Sequence, residues 1–223
     1  KVPRAMQALN KPVVAAPHQR TLGFGAELCL AADKIVFSPE TYFGLVETGI
    51  GLLPAGGGCK ELALRASLQH PDPQSDLLPA LGKSFESIVR AKVTTSGFDA
   101  NRLGYMRACD TVAANPDHRV YEAKMAVLRM DQAGYRKPQA RRVRLAGADG
   151  KAVLAYRAYS MRESGQCSAY DSRIAQQVAH VLCGGDAPPG SLAPEAYLYD
   201  LEREAFLSLL GEEKTQQRIR YLL

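Results

Sequence analysis

The chain has 223 residues, 46% of them hydrophobic, and a formal net charge of +5. That composition suits a protein with a buried core; no apolar run reaches the ~18–20 residues a membrane-crossing helix needs, and no basic-then-apolar leader is present. The five cysteines (Cys29, Cys59, Cys109, Cys167, Cys183) contain no C-x-x-C pair and form no ligand pattern with the four histidines. Free thiols in a reducing cytoplasm are therefore expected, and no metal site is.

In chain order, Pro12–Ala16 is a short apolar run read as a strand buried on both faces. Gly23–Asp33 reads as a turn and an apolar, buried helix. Lys34–Phe37 and Tyr42–Gly44 follow as strands. Gly56, Gly57 and Gly58 open a further helix over Cys59–Ser67, with Leu62 and Leu64 as its apolar face. Short strands alternating with helices predict an α/β arrangement. His70–Pro79 carries three prolines and reads as a loop.

From Lys83 onward the pattern becomes mainly helical. Asp117–Ala133 has Asp117 as its N-cap candidate and Gly134 as its stop. Residues 135–150 read as a basic connector. Ile174, Val178, Val181 and Leu182 mark one amphipathic helix that Gly184 and Gly185 end. Leu198, Leu201, Ala205, Phe206 and Leu209 mark the last long helix, ended by Gly211. The expected division is an α/β unit over 1–134, the connector over 135–150 and a helical region over 151–223. The basic run at Arg136, Lys137, Arg141, Arg142 and Arg144 has one aromatic neighbour, Tyr135, and no recognisable nucleic-acid module. A solvated linker face is its usual explanation, though a basic surface would also favour a polyanionic ligand.

Two glycine patterns fail as phosphate loops. Gly23–Leu28 ends in leucine where a dinucleotide fold wants glycine or alanine. After Gly51 and Gly56, Gly57 and Gly58 stand where a P-loop needs Lys and Ser/Thr. What remains is a pair of carboxylates twenty positions apart. Glu27 follows the Gly23-Phe24-Gly25 turn at a helix start, and Glu47 follows an apolar run before the second glycine turn. Backbone N–H groups beside carboxylates suit proton transfer next to a carbonyl whose oxygen gains charge. Taken alone, Glu27 is better explained as a first-turn acid favourable to the helix dipole, and Glu47 as an exposed loop glutamate. The glycines Gly56–Gly58 serve close packing equally well.

The segments KPVVAA, TLGFGAELCLAAD and FGLVETGIGLLPAGGG, spanning Lys11–Gly58, resemble the enoyl-CoA hydratase/isomerase (crotonase) family in order, spacing and residue type. The part from Pro194 through DLEREAFLSLLGEEKTQQRIRYLL is similar to bacterial fused proteins in which a 3-hydroxyacyl-CoA dehydrogenase precedes a hydratase unit. The resemblance implies a crotonase-like α/β core followed by C-terminal helices. It implies a lyase that adds water to trans-2-enoyl-CoA in fatty-acid β-oxidation. Glu27 then activates water, Glu47 is the acid/base at the α-carbon, and the Phe24 N–H serves the oxyanion hole. Gly23, Gly25, Gly56 and Gly57 line the acyl-CoA site. Two glutamates in the family's register reverse the isolated readings.

The family takes its second oxyanion N–H from a turn well before the K-P-V strand. Only ten residues precede Lys11 and the first residue is Lys1, so a fragment with an incomplete N-terminal core is expected. Phe24 replaces a family glycine, and its ring is expected to pack into the core. The implied partners are the acyl-CoA thioester, an upstream dehydrogenase, a thiolase and further copies of the chain. No cofactor is expected here, NAD belonging to the dehydrogenase portion. The alternatives are an isomerase, which needs Glu47 but not Glu27, and a non-catalytic CoA-binding or assembly module.

Overall fold

The computed structural model describes residues 2–139 and 141–222. They form two compact units, one of residues 2–45 and 93–139, the other of residues 46–92 and 141–222. In chain order the elements are α1 (Val2–Gln7), β1 (Val14–Ala15), β2 (Arg20–Leu22), α2 (Phe24–Leu30), β3 (Lys34–Phe37), β4 (Tyr42–Gly44), α3 (Gly58–Gln69) and α4 (Leu78–Val89). Then come β5 (Thr111–Val112), α5 (Arg119–Gln132), β6 (Arg142–Arg144), α6 (Gly147–Glu163), α7 (Ala169–Cys183), β7 (Leu192–Pro194), α8 (Glu195–Leu210) and α9 (Glu213–Leu222).

In the first unit β3 is the centre of a parallel sheet ordered β1-β3-β5, with Val14 opposite Lys34 and Val36 opposite Thr111. Ile35, Val36 and Phe37 are all buried, the continuous apolar run expected of a central parallel strand. β1 is only half-buried, unlike the doubly buried strand expected. β2 pairs in parallel with β4. Val36, Ala113 and Ala123 pack with Val14 and Ala16, and Phe43 stacks between Phe37 (5.4 Å) and Tyr105 (5.2 Å). Two carboxylates satisfy strand ends: Asp33 accepts from the Val13 N–H (2.8 Å) and the Tyr135 hydroxyl (2.9 Å), and Asp110 accepts from the Ile35 N–H (2.8 Å). β2 and β5 escape the sequence reading because two or three residues carry no period; pairing alone makes them strands. Asp117 does not cap α5: His118 is its N-cap, and Asn115 caps the preceding 3-10 turn, its side chain accepting from the Asp117 N–H. Pro116 begins a short 3-10 turn, Pro116–His118, that takes up the residues expected to start the helix.

In the second unit α3 is buried around its whole circumference over 58–67 and packs against α4, α7, α8 and β6. α7 begins with a reciprocal Ser168–Asp171 capping box, buries Ile174, Val178, Val181 and Leu182 as expected, and stops at Gly184 and Gly185, both at positive φ. β6 and β7 form an antiparallel pair. Gly211 ends α8 in a right-handed conformation, and the chain turns directly into α9.

Candidate active site

In the first unit, Gly23 turns the chain into α2 with φ 55° and ψ −128°, a conformation that L side chains rarely adopt. The Glu27 N–H closes on the Gly23 carbonyl at 3.0 Å, and the N-cap residue, a glycine, has no side chain to cap the start. Glu27 is 3% exposed, an acid held inside a protein from the first turn of a helix. Gly25 does not owe its identity to crowding, because a Cβ there would lie an ordinary 4.0 Å from Thr21. Phe24 corrects the expectation for its ring: it is 50% exposed. The buried face of α2 is Ala26, Glu27 and Leu30. Helical geometry puts Phe24 roughly 110° away from the centre of that face.

In the second unit, Glu47 opens a 3-10 turn, Glu47–Ile50, that ends at Gly51 in the left-handed region (φ 87°). Both Glu47 carboxylate oxygens are shut off from solvent, which is unlike an exposed loop glutamate. Its carbonyl accepts from the Gly51 and Leu52 N–H groups, tying the residue to the turn it starts. Thus Gly23, Phe24, Gly25 and Glu27 share one turn, whereas Glu47, Gly56 and Gly57 belong to the other unit.

Gly57 begins α3 at φ 116°. A Cβ there would lie 3.0 Å from the Tyr199 ring, so packing by α8 accounts for this glycine without a ligand. The Lys60 N–H, in the first turn, donates to the Glu202 carboxylate at 2.6 Å. Around it sits a buried charge network: Lys60 Nζ lies 2.9 Å from both Glu61 and Glu195, Arg65 pairs with Glu61, and Arg141 forks onto Glu195. Burial alone would raise the Glu61 pKa, but the Lys60, Arg65 and Arg141 cations bring it down to about 2. Burial alone would lower the Lys60 pKa, but Glu61, Tyr199 and Glu195 carry it upward.

No family model matches the chain. It is 42% identical over 213 residues to the probable 3-hydroxyacyl-CoA dehydrogenase of Bacillus subtilis (strain 168), a match covering 96% of this chain and 26% of that protein. It is 42% identical over 57 residues, 26% of this chain and 22% of the relative, to the 2,3-dehydroadipyl-CoA hydratase of Escherichia coli (strain K12). The enoyl-CoA hydratase structure from Mycobacterium avium subsp. paratuberculosis K-10 superposes with a TM-score of 0.53 at 18% identity, covering 99% of this chain and 66% of that one. The chain has the crotonase fold.

The expected resemblance to the enoyl-CoA hydratases therefore stands, while the chain spans about a quarter of its Bacillus relative, 26% of that protein's length. Among the described residues of this crotonase-fold chain, no helix is long and apolar enough to cross a membrane. The basic run is in part spent internally: Arg141 holds Glu195, and the Arg144 guanidinium donates to the carbonyls of His70, Pro73 and Ser75. Arg136 and Lys137 stay exposed, as a solvated face requires. The cysteines are free thiols. Burial pushes Cys29 and Cys183 up to about 12, which keeps them protonated and unreactive. Sequence reasoning passed over Lys60, Glu61, Arg65, Glu195 and Glu202. One signal existed: Glu202 lies four residues after Leu198 and three before Ala205, inside the apolar stripe of α8.

Proposed function

We propose that this chain is the enoyl-CoA hydratase portion of a fatty-acid β-oxidation protein, adding water across the 2,3-double bond of a trans-2-enoyl-CoA to give a 3-hydroxyacyl-CoA. The observation that carries the reading is Glu27, buried in the first turn of α2 behind a positive-φ glycine, in a chain with the crotonase fold. In the proposed chemistry the thioester oxygen accepts a hydrogen bond from the Phe24 N–H. Charge moving onto that oxygen makes C3 electrophilic and C2 basic. Glu27 takes a proton from water as its oxygen bonds to C3, and Glu47 delivers a proton to C2. Gly25 lets the substrate approach the backbone closely, consistent with a glycine that internal packing does not demand. Gly23 shapes the same turn, and Gly56 flanks the acyl-CoA, whereas Gly57 answers to the Tyr199 ring.

The reaction calls on no metal or redox cofactor. NAD would serve a 3-hydroxyacyl-CoA dehydrogenase elsewhere in the protein, in keeping with the Bacillus relative's name, and a thiolase would take the oxidised product. Burial of Glu27 favours hydration over isomerisation, which has no use for a second carboxylate. The test follows loss of the ultraviolet enone-thioester band in the intact protein. Glu27→Gln and Glu47→Gln should each slow hydration by roughly 10²–10⁴-fold, the range of general acid–base catalysis. Near wild-type hydration in Glu47→Gln would remove that residue from the mechanism.

A further inference from the structure

The turn that carries Glu47 is pinned from three sides within its own unit. The Thr48 hydroxyl donates to the Ile88 carbonyl of α4 at 3.0 Å. The Arg218 guanidinium of α9 donates to the Thr48 carbonyl at 3.4 Å and to Asp171 of α7 at 2.7 Å. Thr215, fully buried and one helical turn before Arg218, donates its hydroxyl to the Gly51 carbonyl at 2.7 Å. Because that proton is committed to a carbonyl, which can only accept, the 2.6 Å contact between Thr215 Oγ1 and the Tyr170 hydroxyl has Tyr170 as donor. The result is a directed chain, Tyr170 O–H to Thr215 O–H to Gly51 C=O, out of solvent.

The fit at its end is close. Gly51 has φ 87°, and a Cβ there would lie 2.6 Å from Thr215 Oγ1 and 3.1 Å from the Thr215 Cα, a backbone atom that cannot swing aside. The Gly51 N–H in turn bonds to the Glu47 carbonyl. Three residues, Thr48, Gly49 and Ile50, separate the pinned carbonyl from Glu47, and the 3-10 turn fixes all of them.

We infer that Thr215, oriented by Tyr170, is a positioning residue that sets the backbone frame of the Glu47 acid/base from the C-terminal helix α9. The inference rests on the reading of Glu47 above. A carboxylate that must meet one carbon loses rate steeply when its frame moves: a misplacement near 1 Å costs on the order of 10²-fold. The frame sets the place of one proton-transferring carboxylate, so the loss should fall on kcat rather than KM.

The experiment compares Thr215→Val, Thr215→Ser and Tyr170→Phe in the intact protein, with kcat, KM and the pH profile of hydration measured for each. Thr215→Val should lower kcat roughly 10–10²-fold and alter the pH profile of hydration, with KM little changed. Thr215→Ser, which keeps the hydroxyl, should restore both. Tyr170→Phe should give a smaller fall in the same direction. In a Glu47→Gln background, Thr215→Val should add no further loss. A folded Thr215→Val with wild-type kcat and pH profile overturns the inference. Should Thr215→Val fail to fold, Tyr170→Phe decides, and a wild-type profile there overturns it equally. A Glu47→Gln enzyme at full rate would sink the acid/base reading instead, a distinct result.

Discussion

The helices α2 and α3 are each entered through a glycine with positive φ, and they are finished in opposite ways. At α3 the chain closes its own N-terminus: the Lys60 N–H goes to the Glu202 carboxylate, and the Tyr199 ring occupies the space beside Gly57. At α2 Gly25 has ordinary room beside it and Phe24 is half exposed. A glycine turn is therefore not by itself a ligand site. What distinguishes the two is whether the protein has already filled the space beside the turn. The α3 start is a structural joint, and the α2 start is where the proposed chemistry belongs.

The largest expected effect comes from breaking the joint. Glu202→Ala removes the acceptor of the buried Lys60 N–H and leaves a cavity in its place, and should cost about 3–5 kcal/mol, read from urea unfolding. A loss below 1 kcal/mol on the same scale would mean that α3 is held by packing alone.

Acid should attack the same network. The Glu61 pKa is lowered from 4.5 to about 2 on folding, and that of Glu195 is lowered as well. Their stabilisation is therefore full above about pH 4.5 and is lost as pH falls towards 2. The first unit is linked at the other end of the scale. Burial and the Asp33 hydrogen bond push Tyr135 up from 10 to about 12, so its contribution is full below pH 10 and lost as pH rises towards 12. A urea midpoint that stays flat between pH 4.5 and 2.5 would contradict the acid half of this contrast.

Smaller effects separate the two glycine turns directly. Gly57→Ala forces a side chain to φ 116° and against Tyr199 and should cost about 1–3 kcal/mol. Gly25→Ala should leave the melting temperature within the range of about 0.5 kcal/mol yet slow hydration, because its glycine answers to substrate rather than to packing. Equal stability losses at the two positions would erase the comparison. Smallest of all, Phe24→Ala should cost at most about 1 kcal/mol, well short of the ~3–5 kcal/mol of a buried aromatic, and a larger drop in melting temperature would show that the ring packs after all.

Much of the fold was legible from residues near one another in the chain. Lys34–Phe37 and Tyr42–Gly44 are strands with the bounds their apolar runs suggest, and the stripe and double glycine of α7 mark a helix and its stop. The Lys11–Gly58 pattern pointed to the crotonase fold, and Asp33 at its middle is a structural acceptor for Val13 and Tyr135. Local pattern could not say where the Phe24 ring goes, because that depends on which face of a seven-residue helix meets the core. Nor could it find β2, β5 or the charge network, whose partners are remote: Lys60 and Glu202 stand 142 positions apart, Thr215 and Gly51 164. Sequence by itself determined the turns, the helix stops and the register of the two glutamates, since these follow from backbone freedom and short-range periodicity. Tertiary structure alone decided which glycine turn is closed, which charges are buried together and which helix holds the Glu47 turn. Those outcomes depend on desolvation and on hydrogen bonds between segments that the linear chain keeps far apart.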